Sequence, residues 1–173
     1  MRFSTTSYRI TIHPKRFAKF CTSLGMPAAD VPYVSAYALP SPLVLGHSIM
    51  AEYIPALNAI VFFTGEVEAV LAPVPAVDRQ LAIMIALVHE VGHVLCLGAW
   101  RQTARGRLHN EAQASIEYIG RHANSPEYVP ESLRDQSLRE LWRLREWAAD
   151  SFLDEILGSR KAEALKLVTF HET

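Results

Sequence analysis

The sequence predicts an α+β fold, with strands gathered early in the chain and long helices late. Two observations carry that expectation. Tyr8-Arg9-Ile10-Thr11-Ile12 alternates apolar and polar residues, and Ala59-Ile60-Val61-Phe62-Phe63 is an unbroken apolar run, the two patterns of half-buried and fully buried strands. After residue 77, apolar residues recur at helical spacing in three long segments bounded by Asp, Gly or Pro.

Taken in order, residues 8–12 form the first strand. Pro14 then opens a short helix whose apolar residues Phe17, Phe20, Cys21 and Leu24 share a face, and Gly25 and Pro27 stop it. Residues 26–42 hold four prolines and read as an irregular connector. Two strands follow at 43–54 and 57–63, joined by a turn at Pro55, Ala56 and Asn58, and a second proline-containing stretch covers 66–77. Asp78 is placed to cap a helix from Arg79 to Gly98. Residues 108–122 predict a second helix with Ala112, Ile116 and Ile119 as its apolar stripe. Residues 124–135 read as a loop, and a third helix runs from 136 to 157 and ends at Gly158. The expected organisation is one domain, with a strand-rich part over 1–77, a central helix over 79–97 and a helical part over 107–158.

Composition narrows the function classes. Of 173 residues, 50% are hydrophobic and 20% charged, enough apolar material for a core. Seventeen basic residues against eighteen acidic ones give a net charge of −1, which offers no electrostatic reason for direct binding to nucleic acid or an anionic membrane. Cys21 and Cys96 are too few for a disulfide framework, and the first residues lack the apolar core of a signal peptide. A cytoplasmic protein is the expectation. The most apolar stretch, 81–97, is shorter than the roughly 20 residues of a membrane span and carries two His and a Glu, so it predicts a buried helix.

That stretch contains His89-Glu90-Val91-Gly92-His93. Four residues apart on a helix, His89 and His93 share a face with their Cβ atoms about 6 Å apart. Two imidazoles so placed reach one cation at zinc–nitrogen distances of about 2.0–2.1 Å. Glu90 projects beside them, where it can address a water without ligating, the arrangement of a metal-dependent hydrolase with a carboxylate base. Gly92 leaves room for a neighbouring element, perceived from sequence as a strand. The flanking residues are apolar on nearly every side, so burying two imidazoles and a carboxylate unpaired is costly, and a metal resolves all three at once.

A catalytic zinc takes a third protein ligand. Continuation as His93-x-x-Gly-x-x-His is excluded, because Cys96 and Ala99 stand at those places. On the last helix Glu146 and Asp150 lie on the side of Trp142, Leu153 and Leu157, at the margin of its apolar face. Glu146 is the candidate third ligand, and Asp150 the candidate acceptor for the far nitrogen of His89 or His93. A surface pairing of Glu146 with Arg139 or Arg143 is the simpler alternative. His109 and His122 are rival ligands, as in SprT-like proteases, although the polar flanks of His109 suggest a surface residue. Glu111 and Glu117 read as solvated, Cys96 as a small core residue, and Trp100, Trp142 and Trp147 as packing anchors. Tyr118, His122 and Tyr128 are candidates for stabilising an oxyanion.

The pair of motifs, His89-Glu90-x-Gly92-His93 and Glu146-x-x-Ala149-Asp150-x-Phe152, resembles the ImmA/IrrE family of gluzincin metallopeptidases over residues 57–157. The chain differs from the family's pattern at Leu153, where a small residue is usual. The resemblance implies a zincin-like domain with a small N-terminal mixed sheet over the active-site helix. It further implies zinc on His89, His93 and Glu146, Glu90 as base, and cleavage of a protein substrate such as a helix-turn-helix repressor. A zinc-containing regulatory or binding protein, or an interaction module with structural metal, is the competing expectation.

Overall fold

The structure is a computed structural model describing residues 1–38, 49–98, 104–122 and 131–173; the side chains of 104–105, 118–122, 131–135 and 137 lie outside that description. In chain order the elements are β1 (Arg2–Ser4), β2 (Tyr8–Ile12), α1 (Pro14–Ser23), β3 (Tyr33–Tyr37), β4 (Ala51–Ile54), β5 (Ala59–Phe63), α2 (Thr64–Leu71), α3 (Ala76–Leu97), α4 (Ala104–His122), α5 (Glu131–Ser159), α6 (Lys161–Leu165) and β6 (Val168–Glu172). The protein is a mixed α+β fold with a helical C-terminal part. Instead of one N-terminal sheet there are two small ones. β1-β2-β6 is antiparallel throughout; in β3-β5-β4 the β3–β5 pair is parallel and the β4–β5 pair antiparallel.

Several expectations are met. α1 begins at Pro14, whose missing N–H costs nothing in a first turn, and ends before Gly25, which takes φ of +91°. The turn before β5 uses Asn58 in the left-handed region, at φ of 44°. β5 is buried at all five residues: Ile60 and Phe62 join the main core, while Ala59, Val61 and Phe63 form a second cluster with Ile49 and Ile54. Burial on both faces is why its sequence runs apolar without alternation.

Other expectations are corrected. The connector over 26–42 contains β3, an edge strand whose residues are half-buried or exposed and so carry no apolar alternation. Within the strand expected at 43–54, only Ala51–Ile54 is extended, and 43–48 lie outside the described residues. The proline-containing stretch over 66–77 is largely helical: α2 runs to Leu71, with Val67 and Leu71, one turn apart, buried against the core, and only 72–75 lie between it and α3. α3 starts at Ala76, because Pro75 fixes the extended residue before it and Asp78 N–H closes the first turn on Pro75 O at 2.9 Å. Asp78 sits inside that turn, near the helix's positive end, instead of capping it. α4 begins four residues earlier than residue 108, at Ala104. α5 covers 131–135, expected as loop, and continues through Gly158, which has no positive φ; residues 124–130 lie outside the described residues. β6 returns to pair with β2, a strand after the helices that local pattern did not predict.

α3 is the hub: it packs on β4, β6, α4, α5 and α6. Ile83, Met84, Leu87, Val88 and Val91 are fully buried within the cluster that also holds Ile10, Ile12 and Phe62 from the two sheets. It is the one helix among the described residues long and apolar enough to cross a membrane, and 61% of its apolar window is buried in the protein, as in a core helix.

The neighbour that Gly92 admits is a helix, not a strand. A Cβ at Gly92 would lie 3.0 Å from the carbonyl oxygen of Ala149, 3.1 Å from its Cα and 3.3 Å from its Cβ. Backbone is in the way, so α5 itself must move to accept a side chain there. Gly158, by contrast, has nothing within 4 Å of such a Cβ. Adding a side chain at these two glycines therefore has opposite expected signs. Gly158→Ala should raise the unfolding free energy by about 0.5–1 kcal/mol through helix propensity. Gly92→Val should lower it by about 1–3 kcal/mol through overpacking. Urea titration of the two variants measures both, and a neutral Gly92→Val would mean the helices yield easily.

Candidate metal centre

The contact between Gly92 and Ala149 brings the polar residues of α3 and α5 face to face, in antiparallel order. His89 meets Asp150, Gly92 meets Ala149, and His93 approaches Glu146. Three acceptor-bearing atoms converge there. His89 Nε2 is 3.0 Å from Glu146 Oε2 and 3.2 Å from His93 Nε2, and His93 Nε2 is 3.5 Å from the same carboxylate oxygen. Ligands held tetrahedrally at about 2.0–2.1 Å lie about 3.3 Å from one another. The triangle has the edge lengths of one face of such a tetrahedron.

The far nitrogens are engaged too. His89 Nδ1 lies 3.0 Å from Asp150 Oδ1. A carboxylate only accepts, so Nδ1 donates to it; Nε2 faces the second carboxylate, Glu146, to which it donates when the ring is protonated and beside which it holds a lone pair when the ring is neutral. His93 Nδ1 is 2.9 Å from His109 Nε2. Nε2 of each ring thus faces the triangle, where a cation would take the place of the proton that otherwise joins His89 to Glu146.

Glu90 stands beside this group, 7% exposed. One donor atom each from His89, Glu90 and His93 lie within 4.8 Å of one another, so these three also form a set that could hold a metal. Glu146 is closer to both imidazoles, and Glu90 Oε2 is already accepting the backbone N–H of Tyr53 at 2.6 Å. We therefore weigh Glu146 above Glu90 as the third corner. That hydrogen bond ties Glu90 to β4, the strand that ends its sheet among the described residues.

Electrostatics follow burial and partner. Burial pushes the Glu90 carboxyl up to about 7, against the opposing pull of His89 and the Tyr53 N–H. Burial depresses His93 to about 4, with Glu146 opposing, and depresses His109 likewise to about 4. Both rings are therefore neutral near pH 7. At His89 burial acts downward, yet the Glu146 hydrogen bond and the charges of Glu90, Glu146 and Asp150 outweigh it, and its pKa rises. Burial alone would raise Glu146; its two histidine partners and Arg145 instead hold it well below the usual carboxylate range.

Arg145 completes the surroundings. Its Nε donates to Glu146 Oε1 at 3.1 Å and its Nη2 lies 3.0 Å from the same oxygen, so Oε2 is left for the histidines. Nη1 donates to Gln113 Oε1 at 3.0 Å, and the guanidinium lies 3.9 Å over the Trp142 ring. A cleft of about 320 Å³ opens on His89, Glu90, His93 and Glu146, walled by β4 on one side and by Trp142 and Arg145 on the other. A smaller cavity of about 110 Å³ lies behind His93, against His109, Gln113 and Arg145.

All five residues singled out from sequence, His89, Glu90, His93, Glu146 and Asp150, meet in this one place. Glu146 faces the histidines and Arg145, not a solvated partner. His109 is not the surface residue its flanks suggested: it is 1% exposed and sits against the Nδ1 side of His93. Its partner Ala112 is buried as well, and His109 with Gln113 extends that buried stripe at i, i+4, a signal masked by Asn110 and Glu111. Glu111 and Glu117 are exposed, as expected, and Cys96 is buried. Trp147 is 50% exposed and anchors no core, while Trp142 lies under Arg145. Trp100, and the side chains of Tyr118, His122 and Tyr128, lie outside the described residues. Arg145 and the Tyr53 N–H were missed: a run of basic residues hides one, and a backbone group has no sequence signature.

Compared with protein-family models, curated proteins and solved structures, the chain matches none. The geometry stands by itself. Arg145→Met removes a hydrogen bond and an ion-pair contact from a mostly buried carboxylate, and a hydrogen bond from Gln113, and should lower the unfolding free energy by about 1–3 kcal/mol. Denaturant unfolding with metal chelated measures it, and an unchanged midpoint would mean solvent already serves Glu146.

Proposed function

We propose that the chain is a zinc-dependent endopeptidase with a zincin-like single domain, in which His89, His93 and Glu146 hold the metal and Glu90 is the general base. The observation that carries this reading is the triangle of His89 Nε2, His93 Nε2 and Glu146 Oε2, with edges of 3.0–3.5 Å beside a buried carboxylate. Two imidazoles and one carboxylate suit zinc in particular, with a fourth position left for water or substrate. Zinc held there supplies Lewis acidity, polarising a carbonyl and bringing the pKa of water to about 7.

The chain's own groups do the rest. Asp150 holds the ring of His89 from behind, and Arg145 holds Glu146. Glu90, anchored by Oε2 on Tyr53, takes the proton of the attacking water and returns it to the leaving amine; a pKa of about 7 suits both transfers. An extended peptide adds to the open edge of β4 above the cleft. β5 offers no such edge, because it lies between β3 and β4. The resemblance to ImmA/IrrE peptidases supports a cytoplasmic regulatory protease acting on a repressor-type protein.

Zinc content and affinity, measured with a chelating indicator, should fall sharply in His89→Ala and Glu146→Gln. Glu90→Gln should keep zinc and lose at least about 100-fold in hydrolysis of a peptide library. A zinc-loaded wild type that cleaves nothing Glu90→Gln fails to cleave would overturn the enzyme and leave a zinc-containing binding protein.

A further inference from the structure

Behind His93 stands a second histidine for which the metal site has so far no use. His109 comes from α4, is 1% exposed, and places Nε2 2.9 Å from His93 Nδ1. On its other side, His109 Nδ1 lies 3.3 Å from Asn110 Oδ1. Two neutral imidazoles in contact admit only one proton between them, so the two tautomers are coupled. Either His93 donates from Nδ1 and keeps its Nε2 lone pair, or His109 donates and His93 carries its proton on Nε2. Asn110 Oδ1 accepts only, and it calls for the proton of His109 on Nδ1. His109 Nε2 is then an acceptor, and His93 must donate to it. The chain Asn110–His109–His93 thereby turns the lone pair of His93 toward His89 and Glu146.

The same face of α4 acts on the opposite corner of the site. Gln113, one turn after His109, donates through Nε2 to Glu117 Oε1 at 2.9 Å, which fixes the orientation of its amide. Its Oε1 is thereby presented to Arg145 Nη1, and Arg145 holds Glu146 Oε1.

We propose that His109 is a positioning residue of the site: it accepts the Nδ1 proton of His93, fixing that ring's tautomer and plane, and makes α4 the helix that aligns the donors. The inference rests on the metal-site reading above. His109 touches neither cation nor substrate, because it meets the ring at Nδ1 and not at Nε2.

The test separates an acceptor from a space-filler. Gln at 109 can put an amide oxygen close to where Nε2 stands, whereas Leu fills volume without accepting. Zinc affinity should fall about 10–100-fold in His109→Leu and stay within a few-fold of wild type in His109→Gln. Equal affinity in wild type and His109→Leu, or equal loss in both variants, overturns the proposal. The ¹⁵N spectrum of the metal-free wild type gives a second reading that requires no variant to fold. It should show His93 as the Nδ1–H tautomer, and an Nε2–H His93 overturns the relay outright. Absence of zinc binding in the wild type would strike the metal site itself, and the tautomer of His93 would still decide the role of His109.

Discussion

Gly92 and Ala149 set the distance between α3 and α5, and that distance decides whether the polar residues of the two helices can meet. Helices usually pack about 8–10 Å apart, with larger side chains at the crossing giving the larger spacing. Here one partner has no side chain and the other only a methyl, with backbone 3.0 Å from where a Cβ would stand. Short carboxylates on α5 therefore reach histidines on α3. Glu146 and Asp150 flank Ala149 on the chain, as His89 and His93 flank Gly92, so a single crossing point aligns both pairs.

The crossing also explains why so polar a group can sit against so apolar a helix. α3 is held by its apolar residues against both sheets, and the cost of burying Glu90 and His93 is met locally. Each buried polar atom has a partner: no buried side-chain nitrogen or oxygen among the described residues lacks one. The partners come from four separate elements, β4, α4, α5 and α3 itself. Such a network tolerates little rearrangement, since moving any one element leaves a buried group unpaired.

What the sequence carried and what it withheld divide along the same line. Residues that act through spacing on one element were legible: His89, Glu90 and His93 on α3, Glu146 and Asp150 on α5, each pair read from a helical period. Apolar run length made β5 legible in the same way. Contacts that depend on how separate elements pack were not. His109 looks polar-flanked along the chain and is buried only because α4 crosses α3. β3 and β6 pair with partners distant in sequence, and neither has an apolar alternation strong enough to announce it. Gly92 announced a close approach but suggested a strand as the neighbour, and only the packing shows that a helix fills the place.

β4 joins the fold to the proposed chemistry through its hydrogen-bond register. Phe63 N–H donates to Met50 O, which makes alternate residues of the strand face β5. Ala51 and Tyr53 thus direct their backbone groups away from β5, and the Tyr53 N–H is the one that Glu90 accepts. A peptide adding to that edge must pair around a donor already engaged by the base. Its contacts fall to the remaining outward groups, the N–H and C=O of Ala51 and the C=O of Tyr53. In the proposed strand addition, docking and the position of Glu90 are thereby coupled: a shift of β4 moves the Tyr53 N–H that Glu90 accepts. The same bond engages one oxygen of Glu90, Oε2, so only Oε1 is left for the side of the histidines, whereas Glu146 turns Oε2 to both.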